Sequence, residues 1–187
     1  ADVVWVATPA LASRITEIRS DAIIVPNALD DRIWKAVKDG RTENKIRILY
    51  MGTATHDEEL NFLAPVALEL SRRFGNRVRF EVVGVTTKIL PTGFDRRLPD
   101  TDFANLSYPG FVEWFVRQKW DIAVSPLMDG TFNQCKSAIK LMDYAAIGVP
   151  VVASKHSEYE AAFGDNQGVV LLENEPAIWI ETLVDLI

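Results

Sequence analysis

The stretch FNQCKSAIKLMDYAAIGVPVVAS, residues 132–154, decides the fold. It reads as a helix that runs into a buried strand: Gly148 ends the helix, Pro150 prevents its continuation, and Val149–Ser154 is short and apolar. Ser137 is one expected N-cap, with Lys140 the third helical residue, and a cap a few residues earlier is the alternative. At about 100° per residue, Lys136, Lys140 and Asp143 fall at i, i+4 and i+7 on one face. Ile139, Met142 and Ala146 form a neighbouring apolar face for packing on a sheet. Cations in a first helical turn oppose the helix dipole by ~0.3–1 kcal/mol each, so two of them call for an anion. A phosphate would supply it, held by the N–H groups of the first turn. Asp143, one turn deeper, would accept from hydroxyls such as those of a ribose. The plainer alternative is an exposed Lys140–Asp143 pair worth only ~0.3 kcal/mol.

Outward from this stretch, strands and helices alternate. Asp2–Thr8 reads as a strand and Pro9 opens a helix; Ala22–Asp30 is a strand ending in a Pro-Asn turn. A short helix and polar linker follow, to residue 44. Lys45–Gly52 is a strand ending in glycine. In His56–Gly75, Leu60, Leu63, Ala67, Leu68 and Leu70 recur at roughly helical spacing, with acids first and Arg72 and Arg73 last. Val78–Val85 is the next strand, followed by a turn-rich loop that includes Arg96 and Arg97. Residues 106–119 offer a short strand, a Pro-Gly turn and a helix. Trp120–Leu127 and Gly168–Glu173 are strands, Glu158–Gly164 is a short helix, and the chain ends in a helical pattern. This alternation predicts an α/β fold, a parallel sheet covered by helices on both faces. Ligands on such sheets lie beyond the carboxyl ends of the strands. Gly52, Gly84 and residues 125–134 fall there.

The 187 residues suffice for one well-buried domain, with 48% apolar and 25% charged residues. A net charge of −6 argues against a general nucleic-acid surface. One cysteine, Cys135, excludes an internal disulfide and fits a reducing, cytoplasmic compartment. Cys135 and the two histidines, His56 and His156, cannot form a zinc cluster without carboxylates from elsewhere. No apolar run approaches the roughly 20 residues of a membrane span, and no signal peptide is visible. Both ends fall inside predicted elements, which suggests a domain of a longer protein. There is no G-x-x-x-x-G-K-[ST], no G-x-S-x-G and no G-x-G-x-x-G after the first strand, against P-loop, hydrolase and dinucleotide chemistry.

Residues 121–154 strongly resemble the donor-binding half of family 4 glycosyltransferases of the GT-B fold. The pattern K-x-x-(D/E)-Y-x-A-x-G-x-P-V-V-A-S is present as Lys140, Asp143, Tyr144, Ala146, Gly148 and Pro150 through Ser154. Residues 48–60 look like the first strand and glycine loop of that half, residues 81–85 like its second strand, and residues 1–30 like the segment that crosses between halves. The resemblance implies a Rossmann-like nucleotide-sugar-binding domain over 45–187, with 1–44 as crossing segment and linker packed on it. It implies anomer-retaining transfer of a sugar from a nucleoside diphosphate to a glycan or lipid-linked acceptor, without an essential metal or cofactor. A missing N-terminal half would hold the acceptor, so this chain alone would turn over little or not at all. Polysaccharide assembly in the cytoplasm, with peripheral association at the inner face of a membrane, follows at the family level.

By position, the resemblance carries roles onto particular residues. Asp143 matches the second acid of an E-x7-E motif and holds the ribose. Lys140 is directed at the diphosphate, and Lys136 joins it as a catalytic cation. Phe132, Asn133, Cys135 and Ser137 match the loop over phosphates and sugar. Gly52, Thr53, His56 and Gly84 match the strand ends beneath the nucleotide. The chain departs from the pattern at Cys135, where the first acid would stand, and at Thr53, where many relatives carry Arg. His56 also reads as a structural residue, Gly84 as a turn glycine, and Asp129 and Gly130 as a plain turn. Ser154, His156, Glu158 and Tyr159 are candidates near the sugar. Tyr144 and the five tryptophans read as packing residues. A non-catalytic binding or interaction module and a nucleotide-sugar epimerase of the same architecture are the alternatives.

Overall fold

A computed structural model describes residues 2–35, 45–96, 98, 106–164 and 168–187. In chain order the elements are β1 (Val4–Val6), α1 (Pro9–Thr16), β2 (Ala22–Ile24), β3 (Ile46–Gly52), α2 (Asp57–Phe74), β4 (Val78–Gly84), β5 (Phe94–Arg96) and α3 (Tyr108–Val116). They continue with β6 (Ile122–Ser125), α4 (Thr131–Gln134), α5 (Ile139–Ala146), β7 (Val151–Ser154), α6 (Ser157–Phe163), β8 (Val169–Leu172) and α7 (Pro176–Leu186). Six strands form one parallel sheet in the order β5-β4-β3-β6-β7-β8, while β1 and β2 pair, also in parallel, in a sheet of their own. This is the Rossmann-like α/β architecture that the alternation of elements predicts.

Side-chain alternation along β3 divides the core. Ile48 and Tyr50 meet Leu60, Leu63, Ala67 and Leu70 of α2 and Trp179 and Leu183 of α7. Leu49 meets Val112 and Phe115 of α3 and Leu141 and Tyr144 of α5 on the opposite face. Burial on both faces explains why these strands read as continuous apolar runs. Leu29, Ile33 and Trp34 join the second layer, and Trp34 Nε1 donates to Tyr108 Oη at 3.1 Å, which ties this end of residues 2–35 to α3.

The order of the strands places the crevice. After β3 the chain steps outward through β4 and β5, then returns to lay β6 on the other side of β3. β3 and β6 stay in register only at Ile48↔Ile122 and Leu49↔Ala123. Beyond that point the Tyr144 hydroxyl accepts from the Met51 N–H at 3.0 Å and donates to the Val124 carbonyl at 3.4 Å. A side chain from α5 thus fills the role of the missing ladder, and the two strand ends can part.

Several local expectations are corrected. Ser137 is not a cap: a separate turn, α4, precedes α5, and Ala138 stands at the N-cap without a side-chain bond. Ala138, Leu141 and Tyr144 are the side chains buried at the sheet; of the expected face, partly buried Ala146 packs with them, whereas Ile139 and Met142 do not join that cluster. Pro109 and Gly110 lie within the first turn of α3, capped by Ser107, and no strand precedes it among residues 106–107. Arg96 is not in a solvated loop. It stands in β5, a strand the turn-rich composition concealed, and its guanidinium holds the carbonyls of Thr86 at 2.7 Å and Lys88 at 2.9 Å. Residues 31–33 form a turn rather than a helix start, and the remainder of the expected linker helix, like Arg97, lies outside the described residues. Leu68 is exposed although it falls in the apolar count of α2; Trp34, Trp120 and Trp179 are buried, whereas Trp5 is 71% exposed.

Removing the strand bridge should be costly. Tyr144→Phe leaves a buried N–H and a buried carbonyl without their partner, and is expected to lower the unfolding free energy by about 1–3 kcal/mol in urea titrations.

Candidate functional site

The floor of the site is backbone. Gly52 and Gly84 end β3 and β4 in register with each other. Gly84 has φ +71°, and a Cβ there would lie 2.1 Å from the Gly52 carbonyl oxygen. That close approach lets Val85 N–H donate to the same carbonyl at 2.8 Å and lets His56 N–H donate to Val85 O at 3.2 Å. Gly52 in turn leaves room for the His56 ring: a Cβ would lie 2.6 Å from His56 Cδ2. His56 therefore sits buried over the strand end, directly before α2.

Above this floor lies a cavity of about 460 Å³ at the point where β3 and β6 part. Of the residues singled out in the sequence, Gly52, Thr53, His56, Gly84, Lys136, Ser137, Lys140 and Asp143 line it, together with Met51, Val83, Phe111, Leu127, Ile139 and Tyr159. Phe132, Asn133 and Cys135 do not. Phe132 is 78% exposed, with its ring 5.2 Å from the Lys136 ammonium, and the Asn133 amide donates to Met128 O at 2.7 Å. Cys135 is partly buried in the link between α4 and α5. Among the four candidates after β7, Tyr159 alone lines the cavity, its hydroxyl 3.2 Å from Ser125 Oγ. Ser154 accepts from Leu127 N–H and donates to Asn174, and the His156 ring caps α6. Gly130 precedes α4.

Lys136 and Lys140 do converge, but from different elements: Lys136 from the link before α5, Lys140 from its first turn. Burial pulls the Lys140 ammonium down to about 8, with Glu59 opposing that shift and Lys136 adding to it. Its Nζ lies 5.1 Å from the centre of the Tyr50 ring, a cation–π contact that partly offsets the lost hydration. Burial raises the Asp143 carboxyl to about 7, against the pull of Lys140. Burial thus moves the two groups toward neutral pH from opposite sides.

Glu59 is the buried charge beside the cavity that sequence reasoning missed. It is 3% exposed, in the first turn of α2. Its carboxylate lies 3.9 Å from Lys136 Nζ and 3.4 Å from His56 Nδ1. Burial raises its pKa, but His56, local backbone donors and Lys136 outweigh burial and leave it below the usual glutamate value. The signal was present: Glu59 heads the stripe of Leu63, Val66 and Leu70, at i+4, i+7 and i+11, all buried. An acid on an apolar stripe needs a partner inside. The Tyr50 hydroxyl, also within this cluster, is buried and without a hydrogen-bond partner among the described residues. Among the described residues no three His, Cys, Asp or Glu side chains gather as metal ligands, and no helix is long and apolar enough to cross a membrane.

No protein-family model and no curated protein sequence matches the chain. Solved structures do. TarM aligns over 99% of this chain at 15% identity with a TM-score of 0.68. WaaG, a glycosyltransferase involved in lipopolysaccharide biosynthesis, aligns over 97% at 13% identity and 0.63. A glycosyltransferase from Rickettsia africae ESF-5 aligns over 98% at 11% identity and 0.62. The chain spans 36% of the TarM structure and 52% of each of the other two. At these identities the likeness establishes the fold, which is the one found within glycosyltransferase structures.

Two outcomes test the electrostatics. Glu59→Gln should lower stability at pH 7 by about 1–3 kcal/mol, since the Lys136 ammonium loses its nearest counter-charge. Because the Glu59 pKa is depressed in the folded state, its contribution is present above the ordinary glutamate pKa and is lost as pH falls through the folded value. The stability difference between wild type and Glu59→Gln should therefore shrink in urea titrations as the pH falls below the ordinary glutamate value. Asp143 has the opposite sign: its raised pKa favours the fold at low pH, and that contribution is lost as pH rises through about 7. Asp143→Asn should raise the Tm by about 2–4 °C at pH 8 relative to its effect at pH 5, the shift that roughly 1 kcal/mol makes in a domain of this size.

Proposed function

We propose that this chain is the donor-binding domain of a retaining glycosyltransferase, and that its cavity holds a nucleoside diphosphate sugar. The observation that carries the reading is the convergence of Lys136, Lys140 and Asp143 on one cavity at the strand switch point, with α5 lacking a side-chain cap. Orphan N–H groups of the first turn of α5 would receive the pyrophosphate, and Lys140 would neutralise it. Lys136 shares its charge with Glu59, so Lys140 would supply the larger part of the positive charge and Lys136 the rest. Asp143, with a carboxyl near neutrality, can both accept from and donate to a vicinal diol, as a ribose presents.

In sugar transfer the bond to the anomeric carbon breaks and negative charge gathers on the departing diphosphate. Ammonium and N–H groups already aimed there favour the transition state over the ground state, which is how such a site would accelerate the reaction. No metal is needed for this reading. The acceptor, a glycan or lipid-linked sugar, would be held by a further domain, as the length of the structurally similar proteins suggests. Cys135 favours a second reading: the position expected to carry an acid toward the sugar has none, so the domain would bind the nucleotide without transferring its sugar. Turnover of a nucleotide sugar by a longer protein containing this domain separates the two, and release of an epimerised free sugar nucleotide would contradict both.

Calorimetric titration with UDP, GDP and dTDP tests the site. At least one should bind, and Lys140→Met should weaken it by about 10- to 100-fold, the loss of one charged hydrogen-bond partner. Asp143→Ala should weaken the nucleotide but spare pyrophosphate. At pH 8.5 most Lys140 side chains in the empty protein are neutral, because their pKa lies near 8. Binding of the diphosphate recharges them, so the wild type should take up protons from the buffer and Lys140→Met should not. A folded protein that binds none of the three diphosphates would overturn the reading.

A further inference from the structure

Lys136 reaches the cavity from a link of four residues, 135–138, between two short helices. Its neighbours on both sides are gripped by a part of the chain more than a hundred residues away. The Thr8 hydroxyl donates to the Cys135 carbonyl at 3.0 Å, and the Asn27 amide donates to Ser137 Oγ at 2.5 Å. Thr8 is 1% exposed, and its oxygen also accepts from Leu11 N–H at 3.1 Å, so it is held rigidly at the start of α1. Both residues belong to the segment that carries the β1–β2 sheet, which is not paired with the main sheet. The link's own backbone bonds, Cys135 N–H to Phe132 O at 3.2 Å and Lys136 N–H to Asn133 O at 3.0 Å, tie its start to α4, while Ala138 O accepts from Met142 N–H at 3.1 Å and ties its end to α5.

We propose that Thr8 and Asn27 are positioning residues for Lys136: they clamp the link on either side of it and so set where its ammonium stands in the cavity. From below, Glu59 draws the same ammonium at 3.9 Å. The side chain is thus placed by the clamp on its two neighbours, by Glu59 and by the local Phe132 ring at 5.2 Å, and anion binding is coupled to how residues 2–30 sit on the domain. The coupling rests on the donor-site reading, because it concerns the affinity for a phosphorylated ligand. The clamp itself is a property of the empty protein.

Cys135, the single cysteine of the chain and partly buried within the clamped link, is a built-in probe. Its rate of labelling by a thiol-exchange reagent reports opening of the link. Thr8→Val and Asn27→Ala should each raise that rate about fivefold, as expected for loss of one ordinary hydrogen bond, with Thr8→Ser restoring the wild-type rate. Inorganic pyrophosphate should bind each of the first two variants about fivefold more weakly than wild type by the same reasoning. In a Lys136→Ala background the further loss should vanish, because nothing remains to be positioned; a merely structural role would weaken both backgrounds equally. Labelling rates equal to wild type would overturn the clamp, and additive losses with Lys136→Ala would overturn the positioning role. If the wild type binds neither pyrophosphate nor a nucleoside diphosphate, the donor-site reading fails and the coupling with it, while the labelling rates still decide whether the clamp exists.

Discussion

The parting of β3 from β6 is the constraint on which the site depends. Two parallel strands at the centre of a sheet would ordinarily stay bonded to their ends, since an unbonded buried N–H or carbonyl is costly. Here the Tyr144 hydroxyl satisfies Met51 N–H and Val124 O, so the strands separate without orphaning either group. The space so opened is the cavity, and the same residue anchors α5, which brings Lys140 and Asp143 to its wall. Buried fully, Tyr144 joins the opening of the crevice and the placement of its charged groups in a single side chain.

Charge balance inside that cavity follows from how much each group is shielded from water. Lys140 and Asp143 are both pushed toward neutrality by burial, which leaves them responsive to a ligand that brings its own charge. Lys136 differs, because Glu59 reaches it from the opposite helix. That carboxylate gives the partly buried Lys136 ammonium a nearby counter-charge. His56, wedged over Gly52, completes the cluster around Glu59. The close contact of Gly84 with the Gly52 carbonyl shows the same economy in the backbone: two glycines bring strand ends, histidine and helix α2 to one point.

Much of this was legible in the chain. The helix that carries Lys140 and Asp143, its end at Gly148, and the strands around it announce themselves through apolar runs and through glycine and proline punctuation. The convergence of both lysines with the acid also followed, although from the wrong geometry: one continuous face was expected, and a link plus a separate helix deliver it. Glu59 was overlooked because an acid in a first turn has an ordinary explanation in the helix dipole. The stripe of Leu63, Val66 and Leu70 beneath it argued for burial but could not say against what. β5 was overlooked because three edge residues beside prolines and a glycine carry little strand signal, and their pairing with β4 supplies what local preference lacks.

By itself the sequence determined the alternation of strands and helices, the parallel sheet buried on both faces, and which residues carry charge near the strand ends. These follow from side-chain periodicity and from the fixed backbone habits of glycine and proline, which act over a few residues. Tertiary structure alone decided that Glu59 answers Lys136, that Tyr144 bridges two strands, and that Thr8 and Asn27 reach residues 135 and 137. Each of these joins positions far apart along the chain, and such pairings depend on where whole elements come to rest in the packed fold, which no local pattern encodes.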